Sequence, residues 1–181
     1  CQGSIDIARD EKLIKLMSEA GCIEMLLGFE NINIKNIKKM KKVANYEFDY
    51  EKIINIYKKN KILVHASYVI GYDYDDKNCF DKILEFSKKH KFFLAGFNPA
   101  LPIPGTPFYE RLKKEGRLLY ERWWLDENFR YGKACFEPYN MTIEEFEAGI
   151  LKCKVEYNRH SSIWKRLFDG AANFKHALVF L

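Results

Sequence analysis

The sequence has no closely spaced pair of cysteines. Its five cysteines, Cys1, Cys22, Cys79, Cys135 and Cys153, are odd in number and far apart, with no C-x-x-C and no Cys/His spacing that suits zinc. This pattern argues against a disulfide framework and a zinc module. Free thiols in a reducing cytosol are the natural reading, so a cytoplasmic location is expected. No apolar run is long enough for a membrane span, and no signal peptide opens the sequence. Neither G-x-G-x-x-G nor a P-loop occurs, and there is no internal repeat or low-complexity linker. Charge of one sign is not in large excess: 30 Lys+Arg against 25 Asp+Glu leaves +5. Most lysines stand among Glu and Asp in helix-like segments, which reads as solvated helix faces rather than a specific nucleic-acid surface.

What is present suffices for a real core. The chain has 181 residues, 48% hydrophobic and 15% aromatic, which argues against disorder. Its most informative stretch is Lys61 to Asp76, KILVHASYVIGYDYDD. A short run rich in Ile and Val, ended by Gly-x-Asp, reads as a strand buried on both faces, followed by a loop and a helix start. In α/β proteins ligands sit at the C-terminal ends of parallel strands, which would put Gly71 to Asp76 on the working face.

Taken in order, Cys1 to Ala8 alternates weakly, as the end of a strand and a loop. Asp10 is placed to cap a helix carrying Leu13, Leu16, Met17 and Ala20, with Gly21 at its C-terminus. Cys22 to Phe29 is a strand, with Cys22 a small buried residue within it. Asn33 to Met40 is a short helix and Lys41 to Tyr46 a polar connection. Asp49 caps a helix with Ile53, Ile54 and Tyr57 on one face and Phe48 placed as a hydrophobic staple. A helix over about Asp76 to His90 and a strand over Phe92 to Leu101 follow. Thr106 and Pro107 start the next helix, which Gly116 ends. Three consecutive βα units imply crossovers and parallel strands, at about Ile23–Gly28, Ile62–Ile70 and Phe92–Leu101. A β/α barrel and an open doubly wound sheet both satisfy this order. After Gly116, Arg122 to Tyr131 is aromatic and charged. Thr142-x-x-Glu145 is a capping box opening a long amphipathic helix through Phe146, Ile150, Cys153 and Tyr157, expected to run past Ile163 and Trp164. Ala177 to Leu181 is apolar and is expected to pack on the domain or on further sequence.

Three candidate sites follow the three strands: Gly28-x-Glu30, Gly71-x-Asp73-x-Asp75-Asp76 and Pro102-x-Pro104-Gly105-Thr106-Pro107. A carboxylate at a strand end can accept hydrogen bonds from sugar hydroxyls, glycine admits a flat ligand close to the backbone, and prolines make a stiff apolar wall. Together they suit a nucleoside-like ligand. Each also has a plain structural alternative. Asp73 to Asp76 can cap a helix, Pro-Gly-Thr-Pro can start one, His65 can be a satisfied core residue, and Trp123, Trp124 and Tyr131 can be core aromatics.

The ordered set GCIEMLLGFENIN, HASYVIGYDYDD and FNPALPIPGTPFYERL resembles the second half of a radical S-adenosylmethionine (SAM) barrel, of the type with an N-terminal cobalamin-binding domain and a C-terminal extension. The resemblance implies a partial (β/α) TIM-like barrel with parallel strands over 1–116 and a mainly helical extension over 117–181. It implies an enzyme of oxidoreductase, methyltransferase or cyclase type that uses SAM and a [4Fe–4S] cluster, with cobalamin as an optional further cofactor. By the same resemblance, Glu30 bonds the SAM ribose. Val69 and Gly71, in Ser67-x-Val69-x-Gly71, pack their backbone on adenine, and Ser67 stands where the family has its first glycine. Leu101, Pro102 and Pro104 close the adenine pocket. Tyr68, Tyr72 and Phe97 are assigned to the cavity for a small-molecule substrate.

The superfamily's C-x-x-x-C-x-x-C loop is absent, as is its Gly-rich motif after the second strand, and the chain starts at Cys1. These absences read as truncation to the C-terminal half. The expected partners are then the missing N-terminal half of the same polypeptide or, through an open sheet edge, a second copy. The fragment alone is expected to bind no cluster or cofactor tightly and to be inactive. Two rival readings are a non-catalytic interaction domain derived from such a barrel and a different nucleotide-binding α/β enzyme.

Overall fold

A computed structural model describes residues 1–45, 49–168 and 172–180. Four strands, β1 (Gln2–Gly3), β2 (Glu24–Glu30), β3 (Leu63–Ile70) and β4 (Leu94–Pro99), form one sheet in the order β1-β2-β3-β4, each neighbour parallel to the next. Helices α1 (Glu11–Glu19), α2 (Ile34–Lys39), α3 (Tyr50–Lys59), α4 (Cys79–His90) and α5 (Pro107–Lys114) lie between and after the strands. Beyond them come α6 (Ile143–Tyr157), α7 (His160–Leu167), α8 (Ala172–Lys175) and α9 (Ala177–Phe180). The protein is α/β. The three main strands end within one or two residues of their expected limits.

The four strands are wound in one direction. A doubly wound sheet reverses direction partway, which puts helices on both faces. Here spatial order follows chain order throughout. The main core accordingly lies on one face. Met25, Leu27 and Phe29 of β2, Val64, Ala66, Tyr68 and Ile70 of β3, and Phe97 of β4 pack against Ile53, Ile54 and Tyr57 of α3 and Phe80, Ile83 and Leu84 of α4. Phe146, Ile150, Cys153 and Tyr157 of α6 complete the layer, so the segment beyond Gly116 shares this core. A smaller cluster of Ala100, Leu112, Cys135 and Phe136 closes the C-terminal end of the strands.

The expectation that β3 is buried on both faces is corrected by this layering. Val64, Ala66, Tyr68 and Ile70 are buried, whereas His65, Ser67 and Val69 between them are only half-buried. The reason is the two-residue period of a strand: the His and Ser within the apolar run mark a second, less covered face, on which Leu63 alone is fully buried, with Phe93 and Ala172.

Local signals act as their chemistry dictates. The Asp10 carboxylate accepts from the Leu13 N–H, Asp49 from Glu51 and Lys52, and Thr106 from Tyr109. Thr142 and Glu145 form both bonds of a capping box. Two readings change. Helix α6 stops at Tyr157, because the chain becomes extended at Arg159 before α7 begins, so Ile163 and Trp164 belong to a separate helix. Cys22 precedes β2 and is half-buried, with its thiol donating to the Glu24 carbonyl at 3.4 Å. The Phe48 staple lies outside the described residues. In the tail, Leu178 is 97% exposed and does not pack on this domain. Among the described residues no helix is long and apolar enough to cross a membrane.

Gly71 has φ +99°, and a methyl group there would meet the Phe146 ring at 2.6 Å. Gly105 has φ +78° and nothing within 4 Å. Gly105→Ala is therefore expected to cost only the left-handed backbone penalty, about 1–2 kcal/mol. Gly71→Ala should cost that plus roughly 1–3 kcal/mol of overpacking. Urea unfolding of both variants checks the order; equal destabilisation would refute the Phe146 clash.

Candidate functional site

Among the described residues, the half-buried face of the sheet carries the polar side chains of Glu24, His65, Ser67 and Asn98. Glu24, Leu26 and Gly28 of β2 pair with Leu63, His65 and Ser67 of β3, and Ser67 pairs with Gly96 of β4. The Glu24 carboxylate lies 3.1 Å from His65 Nδ1. Asn98 of β4 donates through Nδ2 to the Tyr68 carbonyl at 3.3 Å, and the Tyr131 hydroxyl reaches back to Asn98 Oδ1 at 3.3 Å. At the β1–β2 end of this face lies an open cleft of about 640 Å3. Gly3, Leu26, Gly28, Glu30, Lys42, Asn45 and Ser67 are among its walls.

Among the described residues Glu30 is the one carboxylate lining that cleft, and its placement is built rather than incidental. The β2–β3 register slips between Gly28 and Glu30, and Glu30 has φ +61°, a left-handed conformation costly for a residue with a side chain. The kink folds the side chain back along its own strand. A methyl group on Gly28 would sit 2.7 Å from Glu30 Oε1, so a side chain there would push the carboxylate out of this position. Lys42 Nζ lies 2.9 Å from the same oxygen, and Asn45 Nδ2 donates to the Gly28 carbonyl at 3.0 Å, tying down the cleft wall.

The Gly-x-Asp-x-Asp loop does different work. Asp75 is 2% exposed and accepts from Asn36 Nδ2 at 2.8 Å, from Asn31 Nδ2 at 2.9 Å, and from the N–H groups of Gly71 at 2.9 Å and Tyr72 at 3.2 Å. Burial raises its carboxyl to about 6, outweighing these hydrogen bonds, each of which favours the ionised form. Asp73 is held by Arg111, at 2.7 and 2.9 Å to its two oxygens, and by Lys39 at 2.6 Å. Burial pushes Asp73 up, but the hydrogen bonds from Arg111 and Lys39 prevail and hold it below the usual carboxylate range. Asn140 Nδ2 donates to the Asp73 carbonyl at 2.8 Å, fastening the later segment to the same loop. Both carboxylates are thus engaged within the protein.

Glu30, Asp73 and Thr106 follow the C-terminal ends of β2, β3 and β4 and so lie at one end of the parallel sheet. Glu30 and Ser67 share the cleft, whereas Val69 is half-buried against the smaller cluster, its carbonyl accepting from Asn31 at 3.2 Å. Gly71 is committed to Phe146 and Asp75. Leu101 packs on the smaller cluster, Pro104 is exposed, and Pro102 is buried with its carbonyl accepting from Trp123 Nε1 at 2.8 Å. Trp123 is half-buried, while Trp124 and Tyr131 are exposed rather than core. The assignment of Tyr68 and Phe97 to a substrate cavity is corrected. They stack on each other at 5.9 Å on the covered face, fully buried, with the Ser87 and Tyr68 hydroxyls bonded at 3.0 Å. One residue along a strand reverses the face, so a strand that turns Ser67 to the cleft turns Tyr68 away. Tyr72 also lies elsewhere, against Phe108 at 4.9 Å and the Arg111 guanidinium. Sequence patterns did not single out Lys42, Asn31, Asn36 or Asn45 as site residues: Asn36 lies within α2 and the other three in the connections on either side of it. Asn98 was visible only through the alternation of β4.

No protein-family model matches the chain. The chain is similar to known methyltransferases. It is 26% identical to bacteriochlorophyllide d C-12(1)-methyltransferase of Chlorobaculum tepidum over 98% of its own length and 38% of that protein's. It is 27% identical to bacteriochlorophyllide d C-8(2)-methyltransferase of the same organism, over 66% of the chain and 27% of the relative. Hopanoid C-2 methylase of Rhodopseudomonas palustris is 25% identical over 67% of the chain and 23% of its own length. The chain therefore spans well under half the length of these relatives.

The donor set for a metal centre does not converge here. Among the described residues no group of three His, Cys, Asp or Glu side chains could hold a metal ion. Cys79, Cys135 and Cys153 are buried, and burial raises all three thiols; Cys1 is exposed and Cys22 half-buried. These residues do not fit an iron–sulfur cluster.

Because Asp75 holds its proton more tightly when folded, its contribution to stability should be largest below about pH 4 and decline as pH rises through about 6. Carboxyl-carbon NMR should place its midpoint near 6. A midpoint near 4, the unperturbed value, would mean the four donor residues fully offset burial. Asp75→Ala strands those donors and should cost roughly 3 kcal/mol or more.

Proposed function

We propose that this chain is part of a radical SAM methyltransferase of the cobalamin-dependent type, in which residues 1–116 form the later part of a (β/α) barrel and residues 117–181 an extension. One observation carries the reading: similarity to a methyltransferase runs along 98% of the chain. The parallel sheet, wound in one direction with a cleft on its less covered face, supports it.

In this reading the cleft beside β2 takes the nucleoside part of SAM. The Glu30 carboxylate accepts hydrogen bonds from the ribose hydroxyls, and Lys42, 2.9 Å away, orients it. The missing side chain at Gly28, together with Val69, Leu101, Pro102 and Pro104 farther along the same end, would let a flat base approach the backbone. SAM, when bound, supplies the methyl group. The chain's own part is placement and exclusion of water. The cluster ligands would come from outside these residues, in a polypeptide as long as the relatives. The preceding part of that barrel would pair with the outer edge of β1, or a second copy would do so in its absence. The relatives' names make a polycyclic, largely apolar methyl acceptor the substrate class to test first.

The deciding experiment is calorimetric titration of SAM into the full-length protein and its Glu30→Ala variant. Loss of charge-assisted hydrogen bonds should weaken binding by about 1–3 kcal/mol. Unchanged affinity would reject the role. Glu30→Gly separates function from scaffold. It relieves the left-handed strain, so folding stability should stay within about 1 kcal/mol while SAM binding falls. A variant that instead unfolds would mark the Glu30–Lys42 pair as structural and favour the interaction-domain reading.

A further inference from the structure

Helix α7 carries two different stripes. Ser161, Ser162, Lys165 and Arg166 line a cavity of about 370 Å3, whose other wall comes from Lys88 and Lys91 at the end of α4 and Glu156 and Arg159 at the end of α6. Its lining thus holds five cations and one carboxylate. That carboxylate is already shared, with Glu156 lying 2.6 Å from Arg159 and 3.7 Å from Lys88. Arg166 is 97% buried behind the cavity, donating to Ser162 Oγ at 3.0 Å with its guanidinium over the Tyr157 ring. Among the described residues neither Lys91 nor Lys165 has a carboxylate within 4 Å. The cavity is a cationic bowl with ample room for a phosphate-bearing headgroup.

The second stripe borders the first. Trp164 and Phe168, four residues apart, stack at 5.9 Å, and Phe174 continues the row 5.9 Å beyond Phe168. Trp164 is 48% exposed, Phe168 60% and Phe174 56%. Trp164 is flanked on the helix by Ile163 and Lys165, and Ser161 and Lys165 stand beside it on the cavity side. Single exposed apolar residues are ordinary, but a row of aromatics along a cationic rim is not. A nucleic acid would call for a basic track with room along its length. Here a partly open basic bowl sits next to an apolar ridge. Lysine and arginine beside Trp and Phe is the arrangement that suits the boundary between lipid headgroups and acyl chains.

We propose that this face docks on an anionic phospholipid surface, with headgroup phosphates in the basic cavity and Trp164, Phe168 and Phe174 at the headgroup–acyl boundary. The charge supplies attraction and orientation, and the aromatics supply burial. This proposal does not depend on the identity of the reaction.

The test is co-sedimentation of the full-length protein with phosphatidylcholine vesicles, with and without phosphatidylglycerol. Binding is expected only to the anionic vesicles, and added salt should weaken it. Lys91→Gln and Lys165→Gln should each weaken it roughly fivefold, about 25-fold together, with circular dichroism unchanged. Trp164→Ala with Phe168→Ala should also weaken it while leaving the salt dependence intact. No vesicle binding, or equal binding to neutral and anionic vesicles, would overturn the proposal. So would inorganic phosphate binding in the cavity without vesicle binding, or light scattering that shows a dimer abolished by Trp164→Ala with no affinity for lipid.

Discussion

The Asp75 carboxylate is the fixed point of this protein. A buried carboxylate is tolerable only when donors converge on it, and four residues from three segments supply them. Asn31 comes from the end of β2, Asn36 from α2, and Gly71 and Tyr72 from the end of β3. The same oxygens therefore hold two strand ends and one helix in register. Around that point Asp73 adds a second tie, through Arg111 to α5 and through Lys39 back to α2. The cleft at Glu30 lies one strand away, on backbone that this knot makes stiff.

Stiffness of this kind explains how a strained residue persists at the cleft. Glu30 holds a left-handed backbone that a side chain disfavours. Its neighbours over-determine it: Asn31 is pinned to Asp75, Asn45 holds the carbonyls of Gly28 and Phe29, and Lys42 holds the carboxylate. Strain is maintained where the surroundings leave no alternative, and such positions are where ligands tend to be handled.

Much of the fold was legible in the sequence because its signals are local. Asp10, Asp49, Thr106 and the Thr142–Glu145 box each act through atoms within a few residues, and the three strand runs carry their own pattern. The site was less legible because its decisive facts are not local. Tyr68 reads as a cleft residue until strand alternation is followed strictly from Ser67. The acidic loop reads as a ligand site because its carboxylates are conspicuous, whereas the asparagines that occupy them stand 39 to 44 positions away in the chain. The extent of α6 was overestimated for a related reason: apolar spacing continues across Asn158 and Arg159, although the backbone does not.

The packing of α6 on the sheet sets the timing of folding on the ribosome. Tyr157 donates its hydroxyl to the Phe92 carbonyl across 65 residues, and Phe146 closes over Gly71 from still farther along the chain. By the time β4 has emerged, the apolar wall that α6 will cover is already synthesised and still bare. A nascent chain of this protein must therefore carry an unsealed core through the making of its next several dozen residues, an interval in which chaperone capture competes with misassembly.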